Sequence, residues 1–461
     1  MNPMSEPPGA SPPRDPLERF LCLFADVRAG EGLKAMVLML NVFLLLTCYY
    51  MIKPLREALI LPEKEGPELR SYLSAAMALL LLILVPAYSA LASRVNRIKL
   101  ITIVTLLFVT NLLVFFALAR AQTRHLGIPF FIWVGIFNLG VIAQFWSFAN
   151  DLYSPDQGKR LFPIVAFGAT AGGIVGAWAT KLMIVPLGIY VPMLFSAGLL
   201  AICTLLFLVA HRLDRRDRQA RVAQATAPEE SPLGKRGAFQ LVLSDRYLLL
   251  IALLVLILNF VNTNGEYILA KTFKAMAERM IADRQTAGMS AEAFEKQVTG
   301  LFYAGYQLWF NVVAALIQLF VVSRVFKWFG VRVALFFLPM IALFGYSLMA
   351  WIPVLQYIRL AKIAENATEY SLNNTARHAL FLPTSREAKY KAKAAIDTFP
   401  QRMGDVLSAI LVWAGTRLAL TGQNMAAINL ALIGAWLLIV MGIARRHRRL
   451  VEGTGGAAAA P

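Results

Sequence analysis

An ionisable side chain within an apolar run is costly unless it faces a cavity or a partner. The polar residues inside this chain's hydrophobic stretches are therefore where chemistry should be sought. Tyr49, Lys53, Arg56 and Glu57 close the first long apolar run at spacings i, i+4, i+7 and i+8, along one face of a helix. Pro54 removes a backbone hydrogen bond there and is expected to kink that end. Snorkelling of Arg56 and Glu57 to a membrane interface fits the same pattern. Arg359, Lys362, Asn366, Glu369, Asn373 and Arg377 fall within an arc of about 80° at 100° per residue. They form a polar stripe on a helix whose other faces carry Ile358, Leu360, Ile363, Ala364, Ala367 and Leu372. Asn259, Asn262, Thr263 and Glu266 share a third face. Tyr303, Gln307, Asn311 and Gln318 share a fourth, for which hydrogen bonding between helices is the simpler account. Glu365 and Glu369 are near enough to neutralise part of the charge of Arg359 and Lys362. Cations suit phosphate or carboxylate, carboxamides suit polar edges, and aromatic rings suit stacking. The chemistry is recognition of a small anionic, aromatic or sugar-bearing solute.

Catalytic alternatives find no support. There is no Walker loop, HExxH or GxSxG, and the chain has four histidines with no pair inside an apolar run. Cys22, Cys48 and Cys203 have neither CxxC spacing nor clustered histidines, so no metal site, cofactor or disulfide framework is expected. The net charge of +18 sits mostly in short loops between apolar runs rather than on one soluble module, which argues against a nucleic-acid partner. The Asn-X-Thr triplets at Asn366 and Asn373 lie inside an expected helix and carry no weight as glycosylation sites.

The elements that must hold these residues are membrane spans. Of 461 residues, 58% are hydrophobic and 16% charged, and mean hydropathy is +0.60, far above an ordinary soluble domain. Runs of about 20 apolar residues occur near 33–52, 71–92, 98–120, 127–149, 161–184 and 188–210, then near 246–270, 300–323, 331–352, 355–378, 403–421 and 424–444. The expectation is an all-α membrane protein of twelve transmembrane helices. It divides into a tail at 1–32, a six-helix half at 33–210, a basic linker at 211–245, a second half at 246–444 and a tail at 445–461. Leu17, Phe20, Leu21 and Phe24 recur at helical spacing in the first tail, which fits an interfacial helix or a frayed end. The start does not read as a cleaved signal peptide, so the first span is expected to begin the fold. Clusters such as Arg94, Arg97 and Lys99, Arg324, Lys327 and Arg332, or Arg386 to Lys393 fall on one side if both termini are cytoplasmic, in a bacterial inner membrane. The stretch from Lys271 to Lys296, read as a long loop of mixed charge, departs from that pattern. Gly168, Gly172 and Gly176 make a GxxxGxxxG face suited to close helix packing. Two pseudo-symmetric six-helix halves are the organisation of major facilitator transporters, which rock around a site near the bilayer midplane.

Three patches carry a narrower likeness. "FWSFANDLYSPDQGKRLFPIVAFGATAGGIVGAW", Phe145 to Trp178, resembles the fourth-to-fifth span region of the ATP/ADP antiporters of plastids and obligate intracellular bacteria. "KYKAKAAIDTFPQRMGD", Lys389 to Asp405, is similar to that family's loop before the eleventh span, and "KPLREALIL" to its first-span signature. The resemblance implies a nucleotide exchanger of the facilitator type, with Arg56, Glu266, Lys391, Lys393 and Asp397 at charged motif positions.

The expected solute-binding set is Tyr49, Lys53, Arg56, Asn262, Glu266, Gln307, Asn311, Arg359, Lys362, Asn366, Glu369 and Asn373. Glu57, Lys391, Lys393 and Asp397 are expected to form a gate or charge network, with ordinary cytoplasmic anchoring as an equal reading of the Lys389 to Asp397 stretch. The expected partners are the lipid bilayer and a small anionic solute, and the expected state is a monomer. Obligate exchange, proton-coupled carriage or export of another anion, and a non-transporting scaffold or sensor remain distinct functional outcomes.

Overall fold

The apolar runs fold into helices in the expected order. The structure, a computed structural model, describes residues 15–22, 25–92, 95–221, 237–286, 288–385 and 387–457. Phe24, Arg94 and Arg386 lie outside the described residues. A short α1 (Pro16–Leu21) precedes the first half, which comprises α2 (Gly32–Ile60), α3 (Gly66–Ala92), α4 (Arg97–Arg120), α5 (Gly127–Phe137), α6 (Ala143–Leu152), α7 (Pro155–Leu187) and α8 (Val191–Arg221). α5 and α6 form one crossing through a π-helical turn, Asn138–Ile142. After α9 (Ala238–Ser244) the second half comprises α10 (Arg246–Ala282), α11 (Ala291–Leu316), α12 (Val322–Trp351), α13 (Leu355–Thr368), α14 (Asn374–Ala379), α15 (Lys393–Arg417) and α16 (Gly422–Ala457).

Among the described residues, nine helical stretches are long and apolar enough to cross a membrane. One of them, Ala291–Trp351, has 61 residues, about 90 Å at 1.5 Å per residue, or about three bilayer cores. It breaks at Gly330, whose φ of 72° leaves the helical region, and so supplies two crossings. The α13–α14 pair and α15 are less apolar, carrying Arg359, Lys362 and Glu365 and Arg402 and Asp405 respectively, and among the described residues they make the arrangement consistent with twelve crossings.

Several boundaries differ from the sequence reading. α2 runs through Pro54 to Ile60 instead of ending near 52, so Lys53, Arg56 and Glu57 lie within the helix. The stretch read as a long loop at 271–296 is mostly helix, because α10 continues to Ala282 and α11 begins at Ala291. Ser290 caps that second helix by accepting from Ala293 N–H. α8 likewise continues into the basic segment as far as Arg221.

The glycine face of α7 packs on α2. A Cβ added at Gly168, Gly172 or Gly176 would sit 2.5, 2.3 or 2.4 Å from the carbonyl oxygens of Met39, Phe43 or Thr47. Only glycine permits that backbone approach. The start of α2 pairs with the end of α8 through Lys34 and Asp214, and the start of α10 meets the end of α16 through Tyr247 and His447; these define the terminal end of each half. At the opposite, far end the halves meet through α2 and α7 against α11, and α3 against α10 and α15. The outer faces are apolar, with Ile83, Leu107, Phe167, Phe344 and Trp351 exposed, as a lipid-facing surface requires.

Candidate functional site

Two helices of the first half and four crossings of the second enclose a central cavity of about 170 Å³. Its wall comprises Lys53, Arg56 and Glu57 of α2, Arg70 and Ser74 of α3, and Asn262, Thr263 and Glu266 of α10. Tyr303, Tyr306, Gln307 and Phe310 of α11, Asn366 of α13, Tyr370 of the π-helical turn that follows it and Asp405 of α15 complete it.

Ion pairs run across this wall. Glu57, 1% exposed, accepts from Arg56 through a short contact and from Arg70 Nε at 2.8 Å. Arg70 Nη2 also lies 3.4 Å from Glu266 of the second half. Glu266 accepts in turn from Tyr306 at 2.7 Å and from Asn366 Nδ2 at 3.0 Å. Asp405 is held by Arg402 at 3.2 Å and by the Thr263 hydroxyl at 2.9 Å. Each carboxylate on the wall therefore has a cation within reach.

Lys53 is left over. Among the described residues its ammonium has no carboxylate within ion-pair distance, and it sits instead 5.8, 5.4 and 5.5 Å from the ring centroids of Tyr49, Tyr50 and Phe310. Such contacts hold a cation with about 0.5–2 kcal/mol, less than a buried ammonium needs. The cavity wall also carries Tyr303 Oη, Gln307 Oε1 and Asn366 Oδ1, all buried without a hydrogen-bond partner. The spare cation and the Tyr303 hydroxyl suit an anionic group, and the two carboxamide oxygens suit hydrogen-bond donors on the same solute.

A second charged group lies behind the wall. Lys362, 0% exposed, donates to Asn262 Oδ1 at 2.6 Å and to Glu365 at 2.9 Å. It is 4.0 Å from Glu266. This lysine clamps α13 to α10 rather than facing the cavity. Glu369, on the π-helical turn Glu369–Asn373, accepts from Asn262 Nδ2 at 2.5 Å.

A sequence profile now gives this arrangement a family. The profile of the Major Facilitator Superfamily matches residues 38–364, well over half of the chain. The chain belongs to that superfamily. Curated relatives include ADP,ATP carrier protein 1 of Chlamydia pneumoniae, 25% identical over 341 residues that cover 64% of this chain and 62% of the relative. The protein of the same name from Chlamydia muridarum (strain MoPn / Nigg) is 23% identical over 370 residues, 68% of this chain and 65% of the relative. The chain thus spans less than two thirds of the length of these relatives. Among solved structures, a POT family transporter in complex with a thioalcohol conjugated peptide superposes with a TM-score of 0.60 at 12% identity, over 90% of this chain and 96% of that one. The nucleoside transporter NupG gives 0.54 at 14% identity, over 89% and 98%. At such identities the likeness shows the fold.

On this major facilitator scaffold, the expected residues divide into those on the wall and those behind it. Lys53, Arg56, Asn262, Glu266, Gln307 and Asn366 line the cavity. So does Glu57, expected at the gate. Tyr49 supports Lys53 from behind and stacks on Phe137 at 6.2 Å. Asn311 lies between α11 and α7, its Oδ1 3.2 Å from where a Gly173 Cβ would be. The Arg359 guanidinium covers Phe302 at 5.1 Å. Asn373 is buried within its π-turn. Lys391, Lys393 and Asp397 belong to the terminal end of the second half, where Lys393 lies over Phe381 at 5.9 Å and Asp397 is 3.7 Å from Arg377.

Sequence reasoning missed Arg70, Ser74, Tyr306, Phe310, Tyr370, Arg402 and Asp405. Two signals were available. Arg70 stands one turn inside a helix that opens at Gly66, and Arg402 and Asp405 are i, i+3 around Gly404, whose own Cβ position is closed by α10 at 2.8–2.9 Å.

Proposed function

We propose that this membrane transporter exchanges nucleotides of the ATP/ADP type across a bacterial inner membrane by alternating access, as a monomer with both termini cytoplasmic. The observation that carries this reading is the unpaired Lys53 on the wall of a cavity shared by the two halves. The stacked pair Phe310 and Tyr370, at 5.8 Å and 27°, offers a flat surface for a base, and Lys53, Arg56 and Arg70 offer charge for phosphates. The relatives named as ADP,ATP carriers point the same way.

The volume of about 170 Å³ is smaller than the roughly 300–1,000 Å³ of typical ligand pockets. Part of the space is filled by the cavity's own ion-paired side chains. A polyphosphate entering it would take Arg56 and Arg70 from Glu57 and Glu266, exchanging one anionic partner for another. The empty carrier is then held by its internal pairs, and a counter-substrate is needed to release it, which is the logic of obligate exchange.

The test is uptake of labelled ATP into proteoliposomes that are empty, phosphate-loaded or ADP-loaded. Uptake only with internal ADP, reduced about 10- to 100-fold in Lys53→Ala as expected for a lost charge-assisted contact and partly retained in Lys53→Arg, is the expected result. Equal uptake into empty vesicles, or full activity in Lys53→Ala, would remove this reading.

Glu369 favours a second reading. Among the described residues its carboxylate has no cation within ion-pair distance and rests on the Asn262 amide, so it is free to take a proton. Proton-coupled carriage of an anion would collapse with the pH gradient and would be abolished in Glu369→Gln while exchange persisted.

A further inference from the structure

Away from the cavity, two adjoining hollows at the terminal end of the first half remain unexplained. The first, of about 440 Å³, lies where α2 and α7 begin and is lined by Arg28, Glu31, Lys34, Tyr153, Gln157 and Arg160, among others. The second, of about 770 Å³, is a groove along α6 and α7 in which Gly158, Phe162 and Ala166, at i, i+4 and i+8, descend towards the bilayer. Tyr153 and Ser154 line both.

Most charges in the polar hollow are committed. Glu31 accepts from Arg160 Nη1 and Nη2 at 2.9 Å each and from Gln157 Nε2 at 3.0 Å. Burial pulls its carboxyl up, but Arg160, the Arg28 amide and Gln157 outweigh that and hold it below the usual carboxylate range. Lys34 pairs with Asp214 at 2.8 Å. Four groups are not accounted for. Tyr153, 7% exposed, has a buried hydroxyl with no partner, and Arg160 Nε is also buried without one. Arg28 and Lys159 are exposed cations at the hollow and the groove respectively, with no anionic side chain paired to them among the described residues. Asp156 is the exposed carboxylate on the rim.

We infer that these hollows form one site for an anionic phospholipid, its phosphate held near Arg28, Tyr153 and Arg160 and an acyl chain laid along Phe162, Pro163 and Ala166. A free phosphate shares the head-group chemistry. Continuity with a largely apolar groove along α6 and the start of the α7 span favours the lipid, since a soluble anion has no use for that groove. The consequence of occupancy follows from the elements joined: the lipid bridges the start of α2 to α6 and α7, and so stiffens the first half against which the second moves.

Native mass spectrometry of the full chain tests this, after exchange against equimolar phosphatidylglycerol and phosphatidylcholine. Retention of phosphatidylglycerol over phosphatidylcholine by about fivefold or more is expected from one to two cations near the head group. The preference should fall below about twofold in Arg28→Gln with Lys159→Gln, and should weaken in Tyr153→Phe. Tyr153→Phe removes only a hydroxyl without a partner, so its elution profile and Tm should match the parent. Ala166→Trp, on an exposed face, should reduce retention of both lipids by filling the groove. Equal retention of the two lipids, or a preference unchanged in the charge variant, would overturn the site. Thermal stabilisation by millimolar inorganic phosphate without lipid preference would assign it to a soluble anion and overturn the lipid.

Discussion

Arg70 is one of the places where the two halves touch through charge, beside Glu68 and Lys271. It is 7% exposed, bonded to Glu57 at 2.8 Å and 3.4 Å from Glu266 across the interface. Arg70→Gln leaves Glu57 with Arg56 but deprives Glu266 of its cross-half partner. The expected outcome is a population shift of about 5- to 30-fold towards far-end opening, for a tie of roughly 1–2 kcal/mol. Labelling of Ser74→Cys by an impermeant thiol reagent from the far side measures it, and an unchanged labelling rate would show that the tie is idle. Glu266→Gln should produce the same shift, and the double variant little more, because both remove one interaction. At this scale the sequence was informative wherever a charge stood inside an apolar run, as at Lys53, Arg56 and Glu266. It could not show which charges cancel. Lys362 looked like a substrate cation on its helix face, yet Glu365 at i+3 and Asn262 from another helix consume it. That second partner is 100 positions away, and only the fold brings it near.

The stripe on α13 shows what happens at the scale of an element. An arc drawn at 100° per residue assumes an unbroken α-helix, whereas Glu369–Asn373 is π-helical and adds a residue to the turn, a feature that recurs at functional sites. Asn366, before it, faces the cavity; Asn373, within it, is buried, and Tyr370 takes the place on the wall. Tyr370 is 57% exposed and lines the cavity. Tyr370→Ala should leave Tm nearly unchanged, since an exposed side chain contributes within about 0.5 kcal/mol. It should raise the KM for ATP by about 5- to 10-fold if a base stacks there, with Tyr370→Phe near the parent value. Saturation kinetics in proteoliposomes decide this, and an unaltered KM would move the base elsewhere. Helix count and order were legible because apolar length is fixed by bilayer thickness. Helix ends were not, since Lys271 and Lys274 look like loop residues until Lys274 is seen donating to the Leu61 and Glu63 carbonyls at 2.8 and 2.6 Å.

For the whole molecule, the distribution of contacts between halves defines a state. Among the described residues, the hydrogen bonds and ion pairs that join them gather towards the far end: Arg70 to Glu266, Glu68 to Tyr267 at 2.7 Å and to Lys271 at 3.3 Å, and Lys274 to two carbonyls. Packing reinforces them, with Gly300 set against the Cδ1 atoms of Ile189 and Ile184, which a Cβ there would have to displace. Charged hydrogen bonds of this kind contribute about 1.5–3 kcal/mol each. Inverting a 99:1 equilibrium needs about 5.5 kcal/mol, so a few such ties suffice to hold the far end shut until substrate competes for Arg56 and Arg70. The proposed exchange cycle then requires opposite movements at the two ends. Spin labels at Asn150→Cys and Lys389→Cys, exposed at the terminal end of either half, should approach when ATP is added. Labels at Lys64→Cys and Asp283→Cys, exposed at the far end, should separate, and Arg70→Gln should show part of that separation without substrate. Parallel changes at both ends would instead mean that the halves do not rock about the Lys53 cavity, and the far-end ties would then be structural rather than part of a transport cycle.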